Sequence, residues 1–192
     1  PAGAGKGELD AYDDISADSL KWLQNGWWDY MSPQLYGTIK PDNLAFGKIY
    51  EWWLQENTMH RHIWPGMASQ RVLQDRQPAE ILRQMSILRE HAPVMPPGHL
   101  HWNVSALVKN QGTLADMLKT RAYQFMTLPP SAPWLGKETP VRPELTRNGA
   151  HAEVKLFDPR LESSVKWWLL QVFDGDHWIT SKLQPESVKQ IN

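Results

Sequence analysis

Three groupings of side chains have the types and spacing that chemistry requires. Asp10, Asp13 and Asp14 gather carboxyl groups into one short stretch, and a pair of carboxyls is the usual machinery for protonating a leaving oxygen while activating a nucleophile or water. His60 with His62, and His99 with His101, form two H-x-H pairs, whose rings share a face in extended chain and can grip a metal ion at that spacing. Eleven Trp offer flat apolar faces with a single N–H donor, a shape that stacks on sugar rings as readily as it fills a core. A fourth grouping, GAGKGE from Gly3 to Glu8, resembles a phosphate loop. Lys6 is followed by Gly7 rather than Ser or Thr, and no strand precedes it, which argues against that reading.

These groups have to be held by something, and the hydrophobic pattern says what. Ala17, Leu20 and Leu23 recur at helical spacing, with Asp18 in the first turn and Asn25-Gly26 as a stop. Trp28–Tyr36 reads as a buried strand. Asp42 is placed to cap a helix with Ala45, Ile49, Trp52 and Trp53 as its apolar stripe, ending near Asn57. His62–Ser69 is a second short strand, and Pro78 opens a helix with Ile81, Met85 and Leu88 on one face. A third strand starts at His99 and runs through HLHWNVSALV. A third helix follows, capped by Thr113 with Asp116 three residues on, and with Leu114, Met117 and Leu118 turned inward. Strands alternating with amphipathic helices predict a parallel sheet covered by helices.

Near Leu128 the pattern changes. Residues 129–142 are a Pro-rich linker, and 143–192 read as a small antiparallel β-domain that lacks its last strands. Asn148-Gly149 is a hairpin signal, Ala152, Val154 and Leu156 alternate with polar residues, and Asp174-Gly175 joins a strand from Val165 to Phe173 to another from Trp178 to Leu183. Residues 1–128 form the α/β part. The stretch Pro1–Leu9 has no periodicity and Pro1 is not an initiator Met, so the chain is expected to begin inside a loop of a longer protein.

Composition excludes several roles. At 192 residues with 41% hydrophobic and 21% charged residues, the chain has the balance of a folded globule of one or two domains. A net charge of -1 and no local basic patch leave nothing to attract nucleic acid. No apolar run approaches the length of a membrane span. With no Cys, disulfides and thiolate metal sites are excluded.

From Asp10 to Gly37 the sequence DAYDDISADSLKWLQNGWWDYMSPQLYG resembles the glycosyl-hydrolase-like family 10 proteins of bacteria. The Glu51-Trp52-Trp53 helix, HIWPGMASQRV and GHLHWNVSAL then follow in the order of that family, and PSAPWL fits the end of its barrel. The resemblance spans roughly Asp10 to Trp134. It implies the C-terminal part of a (β/α)8 TIM-type barrel, about strands six to eight, followed by a fibronectin-like β-sandwich. It implies hydrolysis of O-glycosidic bonds in a bacterial polysaccharide, including cell-wall glycan, without a cofactor. It also implies export, and an N-terminal remainder of the same barrel as partner. Two positions depart from the family pattern: Gly37 stands where Trp is usual, and Ser105 where Lys is frequent.

In such a barrel the reacting face lies at the C-terminal ends of the strands. That places Gln34, Tyr36, Ser69, Arg71, Trp102, Asn103 and Ser105 as substrate-binding residues: amides to pair with vicinal hydroxyls and aromatic rings to stack. None of the three strand ends carries a carboxylate. Asp29 lies at the opposite end of its strand and Glu56 closes a helix, so both are read as structural. Asp10, Asp13 and Asp14 remain as catalytic candidates in a loop on the reacting face, alongside helix-capping and solvated roles, and the main acid and base are expected upstream of Pro1. Both H-x-H pairs fall at or before the start of their strands, so no metal is expected. The alternative is a non-catalytic carbohydrate-binding or structural module that uses Trp167, Trp168 or Trp178 of the β-domain.

Overall fold

The computed structural model describes residues 10–40, 45–92, 95–125, 127, 130–136, 143–148, 151–156, 167–173, 175, 178–185 and 190–191. The chain divides into two compact units, Pro1–Tyr123 and Gln124–Asn192.

The first unit opens on a helix where a loop was expected. α1 covers Ala11–Ile15 because Asp10 caps it: its carboxylate accepts from the N–H groups of Tyr12 and Asp13, while its own N–H donates to Asp14 Oδ2 at 2.7 Å. This reciprocal arrangement satisfies donors that a helix start otherwise leaves open. Ser16, at φ 56, ends the turn, so the helix expected from Ser16 is confined to α2, Ser19–Gln24, capped by Asp18. Asn25 and Gly26 close α2 as expected, Gly26 at φ 65.

The three expected parallel strands are present but short. β1 (Tyr30–Met31) pairs in parallel with β2 (His62–Ile63), β3 (Gly66–Met67) pairs in parallel with β4 (Leu100–His101), and Gln34 bridges Gly66 between the two pairs. Prolines account for the interruptions. Pro33 and Pro65 have no N–H to give to a ladder, yet their carbonyls accept from Gly66 and Leu100, so pairing continues through them. α3 (Phe46–Glu56) connects β1 to β2 and α4 (Pro78–Glu90) connects β3 to β4.

α3 corrects the expected stripe. Phe46 and Tyr50 are its fully buried residues, with Ile49, Trp53 and Leu54 packed beside them, while Trp52 meets Trp53 edge-on. The inward face is therefore rotated about one residue from the stripe read through Trp52, still at i, i+3/i+4 and i+7 spacing. Asp42, the expected cap, lies outside the described residues. In α4, Ile81, Met85 and Leu88 are buried as expected.

The third strand also ends early. After His101 the chain passes a cis Trp102–Asn103 peptide and forms α5, Val104–Val108. Asn103 takes the N-cap position, its Oδ1 accepting from the Ser105 N–H at 3.0 Å, which diverts the apolar run VSALV from strand to helix. In α6 (Leu114–Met117), Thr113 makes no capping bond; Asn110 Oδ1 accepts from Ala115 N at 2.9 Å and from Asp116 N at 3.3 Å instead. The helix runs on as a π turn through Leu118–Ala122.

One apolar core joins these pieces. Met31, Leu35, Ile63 and Met67 from the strands meet Phe46 and Tyr50 of α3, Ile81, Met85 and Leu88 of α4, and Ala106, Leu114 and Leu118 of the last helical segments. In the second unit, β5 (Pro143–Asn148), β6 (His151–Leu156) and β9 (Gln190–Ile191) form one antiparallel sheet, and β7 (Trp167–Phe173) pairs with β8 (Trp178–Pro185) in another. Asn148 pairs with His151, which is the register of a two-residue hairpin loop. No helix among the described residues is long and apolar enough to cross a membrane.

Candidate functional site at the strand ends

Residue parity divides the strands into two faces, because side chains alternate along extended chain and register partners share a side. Met31, Ile63 and Met67 lie on the face covered by helices. Tyr30, His62, Trp64, Gly66, Leu100 and Trp102 lie on the other. That second face is aromatic and open in part: Trp64 stacks on buried His62 at 5.0 Å and on Tyr30 at 4.9 Å, while Tyr30 is 49%, Leu100 41% and Trp102 54% exposed.

Three of the expected substrate contacts gather at the C-terminal end of this open face. Gln34 is exposed opposite Gly66. Tyr36 is half-buried, its ring passing over Gly66, where an added Cβ would stand 3.6 Å from the ring edge. Burial raises the pKa of its hydroxyl, which stays protonated as a donor. The Tyr36 segment is held by the next unit: Arg76 Nη2 donates to the Tyr36 carbonyl at 2.9 Å, Gln84 Nε2 to the Gly37 carbonyl at 3.0 Å, and the Ile39 N–H donates to Glu80 Oε1 at 2.7 Å. Trp102 is fixed through its backbone, its N–H donating to Met67 O at 2.8 Å and its carbonyl accepting from Gln70 N at 2.9 Å.

The other expected contacts are directed elsewhere. Ser69 is fully buried and its Oγ lies 2.7 Å from His101 Nδ1, on the covered side. Arg71 is exposed and ion-paired with Asp75. Asn103 is committed to capping α5, and Ser105 sits in the first turn of that helix with its N–H on the cap. Of the carboxylates, Asp10 and Asp14 are engaged in the α1 cap and Asp13 is exposed. Glu56 accepts from Gln24 Nε2 at 2.8 Å, tying α3 to α2, and the Asp29 carbonyl accepts from His62 N.

A cluster that the sequence did not reveal lies on the covered side. Tyr123 Oη is 2.5 Å from His99 Nε2 and 2.8 Å from His101 Nε2. With Ser69 this makes one chain, Ser69–His101–Tyr123–His99. Burial, with the charge on His101 and on Arg89, lowers the pKa of His99 to about 4; burial alone lowers that of His101 to about 4 and raises that of Tyr123 to about 12 against the opposing pull of Arg89. All three groups are neutral at pH 7. The position assigned to the H-x-H pair needs correcting as well: His62 begins β2, but His101 is the last residue of β4. Among the described residues, no group of three or more His, Cys, Asp or Glu side chains is placed to hold a metal ion. The signal for this cluster was an H-x-H pair ahead of an aromatic residue at a helix end, which could be joined only once the fold was known.

No family model matches the chain. Over 142 residues it is 32% identical to the protein named Glycosyl hydrolase YngK of Bacillus subtilis (strain 168), a match covering 71% of this chain. The chain is similar to a glycosyl hydrolase. It spans about 28% of the length of that curated relative. Trp167, Trp168 and Trp178 lie in β7 and β8, with Trp178 paired to Phe173 in register.

Proposed function

We propose that this chain is the C-terminal part of a glycoside hydrolase of the glycosyl-hydrolase-like family 10 type. On this reading β1, β2–β3 and β4 are about the sixth to eighth strands of a (β/α)8 barrel, and the trailing β-unit is fibronectin-like. The parent enzyme, an exported bacterial protein, cleaves O-glycosidic bonds in a polysaccharide such as peptidoglycan-derived glycan. The observation that carries the reading is the open aromatic face, with Gln34, Tyr36 and Trp102 at its C-terminal end. A closed barrel would turn that face inward and leave those three residues at its mouth. The sequence match to a glycosyl hydrolase supports it.

The acid and base are assigned to residues outside this chain, because the described strand ends carry amides and aromatics while Asp10 and Asp14 serve a helix cap. Residues 1–192 alone are therefore expected to release no reducing ends from cell-wall glycan above a buffer control, whereas a parent with five further β/α units does. Clear turnover by the isolated chain would overturn the upstream assignment. In the active parent, Tyr36→Ala and Trp102→Ala should weaken oligosaccharide binding. The lack of a carboxylate pair at the described strand ends favours a second reading, a non-catalytic carbohydrate-binding or structural module. Loss of binding in Trp178→Ala alone would select it.

A further inference from the structure

Trp102 serves better as a stacking platform the more firmly its position is set, because an exposed indole gives up rotamer freedom on meeting a ligand. Its backbone is bonded on both sides, to Met67 O and from Gln70 N. The residue before it adds a third tie: His101 Nδ1 meets Oγ of fully buried Ser69, which lies between Met67 and Gln70 in sequence. The far nitrogen of the same ring meets Tyr123 Oη, which also engages His99. Two proton orders close this chain. If Ser69 donates to His101 Nδ1, then His101 Nε2–H donates to Tyr123 and the Tyr123 hydroxyl donates to His99. In the reverse order His99 Nε2–H donates to Tyr123, Tyr123 to His101, and His101 Nδ1–H to Ser69. Either order fixes the His101 ring from both ends.

We propose that Ser69, His101 and Tyr123 are positioning residues for Trp102, holding the end of β4 so that the indole stands preset on the open face as a sugar platform. The sugar role of Trp102 rests on the reading above; the positioning does not. Ser69 thereby takes a role different from direct contact, acting through His101 from the covered side.

The test uses the 192-residue chain with 15N-labelled Trp, the Trp102 indole resonance being the one lost in Trp102→Phe. Ser69→Ala, Tyr123→Phe and His101→Leu should each move that resonance more than those of Trp22 and Trp28, which pack on one another. His101→Asn, whose amide can reach Ser69 from the Nδ1 position, should return it toward its original place. An unmoved Trp102 resonance in folded His101→Leu overturns the proposal. If that variant unfolds, Tyr123→Phe, which keeps the ring and removes only the hydroxyl, decides in its place. Titration with a β-1,4-linked N-acetylglucosamine hexamer separates the two claims. A Trp102 shift that weakens about three- to tenfold in Tyr123→Phe, the scale of one hydrogen bond, supports both. No shift in the unsubstituted chain counts against the sugar platform, while the resonance comparison still decides the positioning.

Discussion

The two faces of the parallel strands are made by alternating residues of the same strands and have opposite fates. On one, Met31, Ile63 and Met67 are sealed under α3 and α4; on the other, Tyr30, Leu100 and Trp102 stand in the open, differing from the first set only in parity. Stability and recognition are thereby separated by a single-residue step. The covered face supplies the cohesion of the unit, and the open face is free to carry side chains that do not have to pack against it.

The contrast can be broken most forcefully from the covered side. Phe46→Ala removes a fully buried ring and should cost about 3–5 kcal/mol, read as a lower urea midpoint. A cost near that of a surface change would mean the core is not the source of cohesion.

Acid should act on the same side with an effect of similar order. His99 and His101 titrate at about 4 when folded against 6.5 ordinarily. The unfolded chain therefore binds more protons between those values. Stability is full above about pH 6.5 and declines as pH falls to 4, by about 3 kcal/mol for each imidazole. Melting temperatures at pH 7 and pH 4.5 measure the loss, and His99→Gln with His101→Gln should flatten it. A slope left unchanged by both substitutions would place the titration elsewhere.

Removal of the α5 cap by Asn103→Ala should cost about 1 kcal/mol. Smallest of all, Leu100→Ala on the open face should stay within about 0.5 kcal/mol in the isolated chain. A large loss there would show that the open face is packed after all and would erase the comparison.

The helix-to-strand alternation was legible because it rests on period, and Ile81, Met85 and Leu88 were read correctly from that alone. Strand ends were not. Pro65 splits one apolar run, and Asn103 converts VSALV from strand to helix by a single capping bond, a choice that periodicity cannot see. The stripe on α3 was legible at Ala45, Ile49 and Trp53 but omitted Phe46 and Tyr50, its most deeply buried residues. Gln34, Tyr36, Ser69 and Trp102 were all named as strand-end residues, but the bond between Ser69 and His101 joins positions too distant in sequence to be read from it. Tyr123 gave no signal of its own, since its meaning depends on two imidazoles brought to it by folding.

The three bonds that reach back to Tyr36, Gly37 and Ile39 come from Arg76, Gln84 and Glu80. A ribosome must therefore add some forty-odd further residues after Tyr36, and α4 must dock, before that tyrosine is set in place. Until then the Ile39 amide should exchange freely with solvent deuterium, and its slowing during synthesis or refolding would time the completion of this part of the site.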